Sequence, residues 1–190
     1  MAKTFQNVTK EAFSFLENRG FHIADDSTSC VQYEAGRVFV RIDWDRRSGE
    51  INVFVGIKPS SSRALDAFSL VDILEMEGLA SEQKAPFQVA DESKLPFFIG
   101  ALATSVRLHA SSALSGDLMY FRRLREFRNK KSQSLMLDMQ LERLRSQAEK
   151  AWQDHRLEKV ISTYQLMESN LTQLEKRKLK YALSHINDGK

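Results

Sequence analysis

Three carboxylates offer the clearest opportunity for chemistry in this chain. Asp43 and Asp45 stand two residues apart in an alternating run, and Glu50 opens the next run after a short turn. Side chains two apart on a strand share a face, so a hairpin would gather the three at one end. Converging carboxylates hold hard cations such as Mg²⁺, and a metal held there could hydrolyse a phosphodiester. The competing reading is an exposed hairpin end whose acids pair with Arg41, Arg46 and Arg47.

The remaining chemistry-bearing residues are dispersed. His22, His109, His155 and His185 form no HxxxH, HExxH or Cys-His spacing for zinc. Cys30, the single cysteine, lies beside a polar turn with no base nearby in sequence, and reads as a small buried hydrophobe. There is no GxSxG elbow, GxxxxGK[ST] loop or GxGxxG turn. The expectation is therefore a protein that is not an enzyme, with no metal and no cofactor.

A basic run, Arg122 to Lys131, places six cations in ten residues and interleaves them with Phe121 and Phe127. Such a run can neutralise phosphates and bind nucleic acid with strong salt dependence. At about 100° per residue, however, Arg122, Arg123, Arg125 and Arg128 scatter around a helix and make no single stripe. Arg125 and Arg128 project near the arc of Leu118 and Phe121, where they can pair with acids of residues 1–120 or meet an acidic partner. A solvated helix end whose cations complement the helix dipole is the third reading.

The elements that must position these groups follow from periodicity. Phe5, Val8, Ala12, Phe15 and Leu16 recur at helical spacing over 4–19, with Gly20 as a stop. Phe21 to Ala24 reads as a short strand, 25–29 as a polar turn, and Val31 to Glu34 as a second strand. Then comes a hairpin. Val38, Val40, Ile42 and Trp44 share one face with Ile51, Val53, Val55 and Ile57 across the turn 45–49. Phe39 and Phe54 fall on the second face, positioned to pair there beneath the leading helix or a partner. A Ser-rich connection at 60–62 precedes a short helix capped by Ser69, and 78–94 read as irregular. Helices are expected near 93–112, 116–130, 134–153, 156–169 and 172–187, separated in part by Asn129-Lys130-Lys131-Ser132. Leu137, Leu141, Leu144, Ala148 and Ala151 form a seam against Leu157, Val160 or Ile161, Tyr164 and Met167 on the next helix. Trp152, Tyr164 and Tyr181 sit at core spacing.

Strands first and helices after make an α+β fold: an N-terminal helix with an antiparallel β-meander, then an antiparallel helical half. The expected domains are 1–90 and 91–190, packed as one unit. Composition agrees with a globular protein: 190 residues, 42% hydrophobic, 28% charged, 8 Gly, 3 Pro and 1 Cys, which excludes disordered, collagenous and disulfide-scaffold classes. Residues 1–120 carry 12 Lys and Arg against 16 Asp and Glu, and residues 121–190 carry 16 against 9, so the two parts are oppositely charged. No apolar run approaches the roughly 20 residues of a membrane span, and Met1 to Phe5 lacks the apolar stretch of a signal peptide, so a cytoplasmic location is expected.

Two resemblances add to this reading. Ala148, Tyr164 and Ala182 fall where a tetratricopeptide-type helical hairpin places small, aromatic and small residues, over about one repeat and a half. The leading helix, Gly20-Phe21, the strands 38–44 and 51–57, the segment Phe68 to Leu74 and the helix opened by Gly116-Asp117 follow an order similar to small bacterial proteins of immunity type. That resemblance implies a non-catalytic protein that binds and neutralises a toxin. The expected contact residues are Phe39, Phe54, Asp43, Asp45, Arg46 and Arg47 on the hairpin with Arg122, Arg123 and Arg128 on the basic helix, aromatics and arginines being the usual hot-spot chemistry. The alternative partner is nucleic acid on helix 122–131. A further alternative is a divalent-metal nuclease using Asp43, Asp45 and Glu50; restriction-type sites resemble Asp followed by Glu-x-Lys, and Asn52 stands here where the Lys belongs.

Overall fold

The computed structural model describes residues 4–58, 66–79, 87–89 and 91–187. The chain divides into two compact units, Met1–Arg128 and Asn129–Lys190.

In the first unit, helix α1 (Phe5–Phe13) is capped by Thr4, whose Oγ1 accepts from the Asn7 N–H. Its apolar stripe buries Phe5, Val8 and Phe13. The expected single helix over 4–19 tightens into a 3₁₀ segment at Ser14–Arg19, where residues three apart eclipse, so Phe13 and Leu16 line up inward and are both fully buried. Gly20 closes it with a φ of 84°, a left-handed turn that a Cβ would strain.

The sheet is an antiparallel meander, β1 (His22–Ser27), β2 (Cys30–Ala35), β3 (Val38–Asp45), β4 (Glu50–Ile57) and β5 (Asp66–Ser69), in that spatial order. A short β6 (Phe87–Gln88) pairs with the start of β4 at Ile51 and Glu50. The expected alternation holds: Val38, Val40, Ile42, Trp44, Ile51, Val53, Val55 and Ile57 are all buried. β1 extends to Ser27, through residues read as turn, because pairing with β2 continues past an irregularity between Ile23 and Asp25. All of β1 is exposed, and its acids Asp25 and Asp26, the latter bridged to Lys10, place charge on the sheet edge.

Helix α2 (Leu70–Met76) starts with a reciprocal capping box between Ser69 and Asp72, as its Ser cap anticipated. The connection 60–62, with the stretches 80–86 and 90, lies outside the described residues. Helices α3 (Leu95–His109) and α4 (Ser111–Leu114) follow, then α5 (Leu118–Gln153). Leu95, Ile99, Leu102, Val106, Leu114, Phe121 and Leu124 belong to the same buried cluster as the sheet. That is why the first unit ends at Arg128 and not near residue 90, where the change from strands to helices placed the boundary: the apolar faces of α3 and early α5 complete the core that α1 and the meander begin.

Helix α5 also corrects the expected break at 129–132. It runs unbroken for 36 residues. Asn129, Lys130, Lys131 and Ser132 are polar but bring neither Gly nor Pro, and solvated Lys and Ser cost a helix little. In the second unit, the later part of α5 packs with α6 (Leu157–Gln165) and α7 (Gln173–Asn187) around Leu141, Ala148, Ala151, Val160, Tyr164, Met167, Leu171 and Ala182. Ala148, Tyr164 and Ala182 thus all lie inside, whereas Leu137, placed in the seam by spacing, is 46% exposed. Among the described residues no helix is long and apolar enough to cross a membrane.

Candidate protein-interaction surface

The hairpin acids are bound up locally. Asp43 lies opposite Asn52 and accepts from Arg41 Nε at 2.8 Å. Asp45, opposite Glu50, accepts the Arg47 backbone N–H at 2.9 Å; that bond, with the Ser48 hydroxyl, holds its carboxyl below the usual range and closes the turn. Arg46 folds back over the Trp44 ring at 4.9 Å. Among the described residues no three His, Cys, Asp or Glu side chains are grouped to hold a metal ion. Cys30 faces Asp43 across β2 and β3; burial first, then the hydrogen bond and charge of Asp43, push its thiol up to about 12. It is held as a protonated thiol at neutral pH, the opposite of an activated nucleophile.

Phe39 and Phe54 do not oppose each other. Phe39 faces Gly56 and Phe54 faces Arg41, whose guanidinium lies 5.2 Å from the Phe54 ring centre. Phe39 is 1% exposed, which removes it from the expected contact set. Its ring fills the space that a side chain at Gly56 would occupy, an arrangement in which an aromatic shields a strand glycine. Phe54 stays half-buried under Arg41.

The basic helix is also engaged within its own unit. Arg125 Nε pairs with Asp66 at 2.6 Å. Arg128 donates to the Ala67 carbonyl at 2.8 Å and lies over the Phe68 ring at 4.4 Å. Arg123 stacks on Tyr120 and reaches Glu77 at 3.7 Å, and Arg122 pairs with Glu126 one turn on. Arg125 and Arg128 therefore do what their azimuths implied, fastening α5 to β5 through Asp66 and, for Arg128, the Ala67 carbonyl. Arg128 works inside its unit, and Arg122 and Arg123 remain more than half exposed beside their partners.

The second unit presents a different surface. Lys178, Tyr181 and His185 follow one another at i, i+3 and i+7 on α7 and so share a face. Tyr181 meets Trp152 of α5 edge-on with ring centres 5.5 Å apart, and His185 stacks on Tyr181 at 3.8 Å. Lys178 Nζ lies 5.2 Å from the Trp152 ring and pairs with Glu149 at 2.6 Å. Trp152 is half-buried and Tyr181 is 49% exposed, so the rings form a ledge at the surface, while Tyr164 is core. Sequence spacing singled out Trp152 and Tyr181 but placed them inside. His185 was missed, although its position four residues beyond Tyr181 was the available signal.

A network beside the ledge fixes α7 against α5. Arg145 Nε pairs with Glu175 at 3.0 Å and its Nη2 donates to the Asn170 carbonyl at 2.9 Å. Glu175 accepts the Thr172 N–H at 2.6 Å while the Thr172 hydroxyl accepts the Glu175 N–H, a reciprocal cap. Burial raises the Glu175 carboxyl, but the Thr172 and Arg145 bonds outweigh it and hold the group low. Comparison of the chain with protein-family models, with curated proteins and with solved structures gives no match.

Proposed function

We propose that this chain is a non-enzymatic protein-interaction module, and that it acts as an immunity-type inhibitor, neutralising a toxin by binding it. The ledge of Trp152, Tyr181 and His185 is the observation that carries this reading. Trp and Tyr supply most binding energy at protein interfaces because a large ring is desolvated at little entropic cost, and these rings are already held in place by one another and by Lys178. Residues 129–190 carry 12 Lys and Arg against 8 Asp and Glu, so the partner presents an acidic surface. Arg46 and Arg47 at the hairpin tip, both exposed, contribute a further contact on the first unit.

The test is cell survival when the chain is expressed with a toxin encoded beside its gene. Protection by the wild type and its loss in Trp152→Ala/Tyr181→Ala support the proposal. Survival no better than the empty-vector control counts against the inhibitor, and full protection by the double variant counts against the ledge.

A further inference from the structure

Helix α7 carries a second surface beside the ledge. Lys176, Leu179, Lys180 and Leu183 lie at i, i+3, i+4 and i+7, within an arc of about 100° on the helix. With Glu168 and Leu171 from the turn before α7 they line a groove of about 300 Å³. Leu171 is buried in the core of the second unit and Leu179 packs against that core, whereas Leu183 is 43% exposed. The two lysines are exposed, as is Arg177, whose azimuth lies between those of Lys180 and Tyr181. Among the described residues none of these three cations forms an ion pair, because Glu175 is taken by Arg145 and Glu149 by Lys178.

Charge and shape together identify the occupant. Lys176 and Lys180 are a like-charged pair one turn apart, a cost to the helix that a partner bringing carboxylates relieves. The leucines beside them take aliphatic side chains, which a nucleic-acid strand does not offer. The surface is concave between two segments of chain, so it receives protruding side chains and not the flat face of a bilayer. We propose that an acidic amphipathic peptide segment of a partner protein docks along α7, its aliphatic side chains entering between Leu171 and Leu183 and its carboxylates meeting Lys176, Lys180 and Arg177. Glu168 gives the segment a direction: its acids face α7 and its other flank faces Glu168. The inference rests on the protein-interaction reading and names the chemistry of the partner, on a part of α7 separate from Tyr181 and His185.

Fluorescence anisotropy of the full chain with a short fluorescein-labelled peptide, Leu at every third or fourth position and Glu between, tests this. The wild type should bind it, more weakly when Gln replaces Glu, and less as salt is added. Lys176→Glu/Lys180→Glu should weaken binding about tenfold, the effect of two exposed pairs made repulsive, and Leu183→Gln about fivefold. These positions are exposed, so an unchanged circular dichroism spectrum confirms that the fold is intact. Lys150→Glu/Lys159→Glu makes the same charge change at exposed residues outside the groove and should bind within about twofold of the wild type. No binding by the wild type at about 1 mM peptide overturns the proposal, as does wild-type affinity in Lys176→Glu/Lys180→Glu or an equal loss in both charge variants. Tighter binding of a single-stranded oligonucleotide or of phosphatidylserine vesicles, lost in Lys176→Glu/Lys180→Glu, overturns it in favour of nucleic acid or membrane. No toxin enters this assay: peptide binding without cell protection counts against the inhibitor alone, and protection without peptide binding counts against the groove alone.

Discussion

Replacing Phe39 by Ala separates a packed side chain from a contact residue, because the two roles predict opposite outcomes. The ring is 1% exposed and sits over Gly56, where an added Cβ would stand 2.6 Å from Phe39 Cε1 and 2.5 Å from the Asp66 carbonyl oxygen. Removing a fully buried phenyl typically costs 3–5 kcal/mol, and because this ring covers a backbone glycine on the second face of the sheet we expect the lower end, about 3 kcal/mol. That is about a 150-fold shift in the unfolding constant, at about 1.4 kcal/mol per tenfold. The chain has two tryptophans, Trp44 in the first unit and Trp152 in the second. Urea unfolding followed by fluorescence in a Trp152→Phe background therefore reports on the first unit alone. Gly56→Ala tests the same packing from the other side: the backbone oxygen cannot swing away, and overpacking should cost about 1–3 kcal/mol. Combining it with Phe39→Ala relieves the ring clash but not the one with Asp66, so the two effects should be sub-additive. A Phe39→Ala cost below about 0.5 kcal/mol, the range of ordinary surface changes, would refute this reasoning and return Phe39 to the contact set.

Arg128→Ala should destabilise the first unit by about 1–2 kcal/mol through loss of the Ala67 bond and the cover over Phe68, whereas Arg122→Ala, removing an exposed pair, should stay within about 0.5 kcal/mol in the same assay. The Cys30 thiol should react with iodoacetamide far more slowly at pH near 8 than a free cysteine does, since burial and Asp43 hold its proton, and Asp43→Asn should speed the reaction; a wild-type rate equal to the free thiol contradicts this. Glu175 has a lowered folded-state pKa, so its stabilisation is present above the ordinary carboxylate range and is lost as pH falls through the folded value. Amide protection at the start of α7, taken relative to the intrinsic exchange rate at each pH, should fall over that acidic window in the wild type, and Glu175→Gln should remove that fall.

Local periodicity carried much of this fold. The two-residue alternation through Val38–Trp44 and Ile51–Ile57, the stop at Gly20 and the Ser69 cap each depend on neighbours a few positions away, and each appears in the structure as read. The interior places of Ala148 and Tyr164 were legible for the same reason. What tertiary structure decided was coverage. Phe39 is buried because Gly56 lies opposite it, Trp152 is half-buried because Tyr181 of α7 covers it edge-on, and Arg125 is occupied because Asp66 arrives from β5. The continuity of α5 belongs to the same class, since a polar stretch reads alike as loop or as solvated helix until the ends on both sides are fixed. An alternating pattern names the two faces of an element, but which distant segment closes over a face depends on contacts between residues far apart in the chain, and those set the core and the ledge.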